Sequence, residues 1–136
     1  MAETVRAVDD LIHAGRIRYF GGSNYRSWRV AEICRLRDEA GIDRPVASQP
    51  LYNALHREIE TEHLPACGYY GLGVVPYSPL ARGVLTGKYA PGAAPPAGTR
   101  VGRQDRRMLE SEWRPESLQI AQRIAEQARG KGLSPG

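Results

Sequence analysis

Nothing in these 136 residues approaches the roughly 18 consecutive apolar positions that a membrane-spanning helix requires, so the chain reads as having no span. The opening MAETVRAVDDL lacks the basic-then-apolar layout of a secretory signal, which argues against export and for the cytoplasm. Cysteine is scarce: Cys34 and Cys67 are the only two, and they read as small buried apolar residues of a cytosolic protein. Charge of one sign is in modest excess, a net +4. Much of it falls in residues 100–107, where Arg100, Arg103, Arg106 and Arg107 face only Asp105. No aromatic is interleaved with those arginines, so a nucleic-acid interface is set aside for a solvated or phosphate-facing loop. Ser23 and Ser78 invite a nucleophile reading, but neither sits in a Gly-x-Ser-x-Gly elbow. No repeat recurs at fixed spacing. What remains, 41% hydrophobic and 25% charged residues, is the composition of a soluble globular protein long enough for one domain with its own core.

Periodicity supplies the elements. Residues 4–14 carry Val5, Val8, Leu11 and Ile12 at helical spacing, with Gly15 as the stop. Residues 17–20 read as a strand that Gly21, Gly22, Ser23 and Asn24 end. Residues 27–40 read as a helix with Val30, Ile33 and Cys34 on one face and Gly41 closing it. Residues 46–49 are a second short strand, cut off by Pro50. Residues 58–70 form a third helical pattern in which Pro65 must sit in the first turns or kink the helix. Residues 74–77 read as a fully buried third strand. Residues 78–114 show no periodic segment and read as a long loop. Pro115 then opens a helix carrying Leu118, Ala121, Ile124, Ala125 and Ala128, with Gly130 or Gly132 as its stop. The chain closes on Leu133, Ser134, Pro135 and Gly136; Ser-Pro is a helix-start signal with no helix after it, as though the sequence stopped inside a larger fold.

Strands alternating with helices imply βαβ units and a parallel sheet. Each strand ends in polar or turn residues: Ser23 and Asn24, then Gln49, then Tyr77 and Ser78. Ligands of parallel α/β folds bind beyond the carboxyl ends of strands, so Ser23, Asn24, Gln49 and Tyr77 are expected to gather at one edge. The stretch GLGVVPYSPLARGVLTGKY at residues 71–89 adds a loop of glycines, hydroxyls and one lysine that could approach phosphate through bare backbone, or could be an ordinary strand-to-loop corner. His56, Glu60 and His63 fall at a possible metal spacing on one helix face, but without a fourth ligand they read as a solvated face. Tyr52, Tyr69 and Tyr70 read as packing residues, and Trp28 as a core or rim anchor.

Three segments, GRIRYFGGSN, VASQPLYNALHREIETEHLPAC and GLGVVPYSPLARGVLTGKY, resemble consecutive segments of the aldo-keto reductases, in the branch related to voltage-gated potassium channel β-subunits. The resemblance runs along nearly the whole chain in the family's order and spacing. It implies an α/β fold, a partial (β/α)8 TIM barrel of about three βα units plus the long loop and a following helix, forming a single partial barrel domain over residues 1–136. It implies hydride transfer between NADPH and an aldehyde or ketone. By position, Ser23, Asn24 and Gln49 resemble the groups that hydrogen-bond the nicotinamide carboxamide, for which side-chain amides supply both donors and acceptors. Tyr77 resembles the ring that stacks on the nicotinamide. Ser78, Pro79, Leu80, Ala81, Gly83 and Lys88 resemble the loop over the pyrophosphate, and Arg100 a further phosphate contact. Gly22 departs from the family, which commonly has a larger residue there.

The family's catalytic Asp, Tyr, Lys and His precede the region matched, so no catalytic residue and no metal ligand is assigned in this chain. A whole barrel takes about 250 residues, and the chain reads as roughly half of one. The expectations that follow are a segment inactive on its own, a small-molecule carbonyl substrate, no nucleic-acid or membrane partner, and self-association through unpaired sheet edges. The alternatives are a non-catalytic nucleotide-binding or regulatory module, and a truncated reading frame without independent function.

Overall fold

The computed structural model describes residues 1–136 as two compact units, one of residues 1–52 and 56–77 and the other of residues 53–55 and 78–136.

The first unit contains α1 (Ala2–His13), β1 (Gly21–Ser23), α2 (Ser27–Ala40), β2 (Ala47–Gln49), α3 (His63–Tyr70) and β3 (Gly73–Val74). The strands form a parallel sheet in the order β1-β2-β3, with Gly21 opposite Ala47, Ser23 opposite Gln49, and Ser48 opposite Val74. Two of the helices are closed by glycines. Gly41 closes α2 at φ 66° and Gly71 closes α3 at φ 74°, left-handed conformations that a residue without Cβ adopts freely. Val30 and Cys34 of α2 pack with Cys67 of α3 and with Leu72, which leads into β3. Arg37 is buried at 1% exposure and is not left unpaired. It donates to the Asp43 carbonyl, lies 3.4 Å from Asp9, and sits 5.0 Å from the centre of the Phe20 ring.

Several expectations shift here. The segment at residues 17–20 is not the strand; β1 begins at Gly21. What decides this is the ladder: Val46 N donates to Phe20 O, and paired residues begin only beyond that bond. The third strand is shorter than residues 74–77 and not fully buried, with Val75 53% exposed. It lies at the sheet's edge, and only an isolated parallel bridge from Leu51 to Tyr77 continues it. Residues 58–70 divide into a 3-10 turn at Glu58–Glu60 and then α3, which places Pro65 within the first turn, where its missing N–H costs no helical bond. Trp28 and Tyr69 are exposed at 61% and 82% rather than packed inside.

The second unit has two short 3-10 turns within Ala81–Thr86, separated by a kink at Arg82 and Gly83, then α4 (Arg106–Ser111) and α5 (Pro115–Gly130). Helical segments thus stand inside the stretch read as structureless. Asp105 caps α4, its carboxylate accepting from Met108 N at 2.9 Å. Pro115 opens α5, and Gly132 follows its end at φ 70°. Ala81, Val84, Leu85, Tyr89, Val101, Met108, Leu118 and Ala121 form the core. The Tyr89 and Trp113 rings meet edge to face, 5.2 Å apart. No helix of either unit is long and apolar enough to cross a membrane.

Candidate functional site

The first unit brings four of the sequence-derived residues to one edge. Because all three strands run the same way, Ser23 and Gln49 stand opposite each other at their carboxyl ends, and Tyr77 follows β3 on the same side. The Gln49 carbonyl is the hub. Ser23 Oγ donates to it at 2.9 Å and Asn24 N at 3.3 Å. Asn24 Nδ2 in turn donates to Ser23 Oγ at 3.1 Å. Asn24 holds φ 56°, a conformation in which asparagine is several-fold enriched among non-glycine residues. The Gln49 side-chain amide has no partner in the chain and is exposed. Tyr77 N donates to Pro50 O at 3.0 Å, which fixes the backbone beneath a partly exposed ring.

Two glycines shape this edge. A Cβ on Gly21 would lie 2.6 Å from the Ala47 carbonyl oxygen, so β1 and β2 can approach only because it is absent. A Cβ on Gly22 would lie 3.0 Å from Cδ2 of Tyr25. Tyr25 thus packs close against Gly22.

The remaining residues belong to the second unit. Ser78, Ala81 and Arg82 carry φ values of 52°, 47° and 54°, and Gly83 follows at 93°. Left-handed conformations in non-glycine residues cost of order 1–3 kcal/mol each and persist where surroundings over-determine them. Here Asn53 Nδ2 holds Ser78 O at 2.9 Å, Thr86 Oγ1 holds Gly83 O at 2.8 Å, and the Ala81 side chain is fully buried in the core. Ala81 therefore serves the loop as an anchor, and its N–H is used by Ser78 O at 2.9 Å. Lys88 reaches back over Gly83, where a Cβ would meet its Nζ at 3.0 Å. Pro79, Leu80 and Arg100 are exposed, and Arg100 anchors its own turn through its carbonyl, which accepts from Asp105 N at 2.9 Å.

Three supports escaped the sequence reading. Gln122 Nε2 donates to the carbonyls of Gly87 at 3.0 Å and Tyr89 at 2.9 Å, clasping the loop from α5. Arg82 Nε is buried and has no hydrogen-bond partner, inside the strained run. Ser48 and His63 share a buried hydrogen bond. None of these joins residues at a recognisable spacing, so no sequence signal would have found them. The His56, Glu60 and His63 face does not form, because the chain breaks between the 3-10 turn and α3. Arg57 holds Glu60 at 2.8 Å through two nitrogens, and the Tyr52 hydroxyl donates to it at 2.8 Å. Those partners keep the Glu60 carboxyl below its usual range, Arg57 first and Tyr52 next. No group of three or more His, Cys, Asp or Glu side chains is arranged to hold a metal ion.

Comparison with known proteins is consistent along the chain. A model described as the Aldo/keto reductase family matches residues 1–136. An aldo-keto reductase of Pseudocercospora fijiensis is 47% identical over 88 residues, 65% of this chain and 30% of that protein. Aflatoxin B1 aldehyde reductase member 2 of Mus musculus is 47% identical over 87 residues, 64% of this chain and 24% of that protein. Aldo-keto reductase family 7 member A3 of Homo sapiens is 45% identical over 87 residues, 64% of this chain and 26% of that protein. The match spans between 24% and 30% of each of these curated relatives.

Proposed function

Since the chain belongs to the Aldo/keto reductase family, we propose that it supplies the cofactor-holding segments of an NADP(H)-dependent reductase of aldehydes or ketones, acting in the cytoplasm as one partial barrel domain. The observation that carries this reading is the meeting of Ser23, Asn24 and Gln49 at the carboxyl edge of a parallel sheet, with a side-chain amide on Gln49 that has no partner in the chain. A carboxamide offers one acceptor and two donors, and Gln49 with the Asn24 oxygen complements both. The donor set therefore fits a nicotinamide. When bound, that group supplies the hydride.

The chain's own residues do the holding. Ser23 keeps Gln49 and Asn24 together, and Tyr77 offers a partly exposed ring for stacking. Ser78, Pro79, Leu80, Ala81 and Gly83 shape a strained loop, and Lys88 and Arg100 bring the positive charge that phosphates attract. Proton delivery to the developing alkoxide, which typically contributes about 10²–10⁴-fold, is assigned to a part of the barrel other than this segment.

Two measurements test this. The purified chain alone is expected not to oxidise NADPH with a simple aldehyde, whereas co-expression with the remaining barrel of a relative restores the reaction. In the restored enzyme, Tyr77→Ala weakens NADPH binding by about 1–3 kcal/mol, the scale of base–aromatic stacking. Turnover by the 136-residue chain alone overturns this division of roles. Tight NADPH binding without turnover after reconstitution points instead to a non-catalytic nucleotide-binding module.

A further inference from the structure

One buried polar pair stands apart from the residues assigned above. Ser48 Oγ and His63 Nε2 share a hydrogen bond of 2.8 Å, and the two residues are 2% and 7% exposed. Cys67, four residues further along α3, is buried beside Ser48. A hydroxyl against an imidazole has the look of a nucleophile and its base. Burial gives a substrate no access to Ser48, however, and no carboxylate orients His63. The place of the pair in the sheet says more. Ser48 is the middle residue of β2, the central strand, and its carbonyl accepts from Val75 N at 2.9 Å. Gln49 follows directly. Successive strand residues point to opposite faces, so a side-chain tie from Ser48 to α3 on one face sets where Gln49 leaves the other. The Gln49 carbonyl in turn receives Ser23 Oγ and Asn24 N.

We propose that Ser48 and His63 are positioning residues, whose buried hydrogen bond holds Gln49, and through its carbonyl Ser23 and Asn24, in the arrangement that receives a nicotinamide carboxamide. The proposal rests on the reading of Gln49 as a nicotinamide contact. A polar bond suits the task better than apolar packing, because it fixes direction as well as contact. Replacing both partners together by apolar residues of similar shape is nearly neutral for folding, so positioning can be separated from stability.

The test uses the enzyme restored with the remaining barrel of a relative, in which only the 136-residue chain is isotope-labelled and followed by NMR. It is titrated with NADPH and, separately, with 2′-phospho-ADP-ribose, which differs in lacking the nicotinamide. The double variant Ser48→Ala with His63→Leu is expected to weaken NADPH binding about tenfold and leave 2′-phospho-ADP-ribose binding unchanged. Solvent exchange of the Asn24 amide, which donates to the Gln49 carbonyl, should rise about threefold in the same variant. Ser48→Thr, which keeps the hydroxyl, should restore both values to those of the parent. Equal weakening of the two ligands, or unchanged Asn24 exchange, overturns the proposal. Gln49→Ala separates the two ideas. If it leaves NADPH affinity unaltered, the nicotinamide reading of Gln49 fails, while Asn24 exchange still decides whether Ser48 and His63 hold the strand end. Should the double variant fail to fold, Ser48→Ala alone is read by the same two measures.

Discussion

Gly21 meets Ala47 across the ladder with no room for a methyl group, and the obstacle is a backbone oxygen rather than a side chain that could turn aside. Gly21→Ala should therefore push β1 away from β2, at a cost of about 1–3 kcal/mol typical of overpacking, read as a lower urea midpoint with unchanged slope. A rise in stability would show that the strands are free to separate. Cys34 and Cys67 lead to a second expectation. Burial raises both thiols above their ordinary value, and for each it is the largest cause. Neither should react with a thiol reagent near neutral pH until the chain unfolds. The sign for stability follows: the contribution of the neutral thiols is complete below the ordinary thiol range and is lost as pH climbs through the raised values. Rapid labelling of the folded chain at neutral pH would contradict it. The strand-end residues were legible in the sequence because position alone defines them, Ser23 before Asn24 and Gln49 before Pro50. The bond from Ser48 to His63 was not, since it spans 15 residues and two kinds of element with no shared period.

Among the elements, the helices were the readable part. Gly41 ends its helix as expected, and Pro115 begins its own, because each signal is a local backbone property. The strands were less readable, because a partner decides where a ladder begins. Ile17, Tyr19 and Phe20 outrank two glycines in strand propensity, yet the register with Ala47 starts at Gly21. The segments within residues 78–114 were missed for another reason: they are short, and the core under them is drawn from distant positions such as Leu118 and Ala121. Docking of α5 gives a prediction at this scale. Gly87 holds φ 72°, and a Cβ there would lie 2.7 Å from Cβ of Ala125. Gly87→Ala should destabilise the second unit by roughly 2 kcal/mol, from strain and overlap together. Ala125→Gly costs about 1 kcal/mol in a helix interior by itself, but in the Gly87→Ala background it should cost less than that. Strict additivity in thermal melts would mean that the two positions do not touch.

For the molecule as a whole, the sheet of the first unit is the feature with the widest reach. β1 and β3 each pair on one side only, which leaves two rows of backbone groups without partners in the sheet. Such edges template association with further strands. The chain at micromolar concentration is expected to elute in size-exclusion chromatography as a mixture that shifts to larger species on concentration. Lysine at Gly22, on the β1 edge, should reduce that shift, with Tyr25 displaced to make room. A single monomeric peak across a hundredfold dilution series would remove the edges as a driving force. The parallel order of the strands was readable from the alternation of elements, whereas the division into two units was not, since no composition shift marks Asn53 or Ser78.

The clasp of Gln122 on the Gly87 and Tyr89 carbonyls has a consequence in time. The loop and its fastener are made far apart, 35 and 33 residues by sequence. At about 5–20 residues per second of synthesis, roughly 2–7 seconds pass between the making of Gly87 and Tyr89 and the arrival of the Gln122 side chain that clasps them. Throughout that wait Val84, Leu85 and Tyr89 lack the Leu118 and Ala121 surface that later covers them. The shape of this loop is therefore settled late, by residues made well after its own.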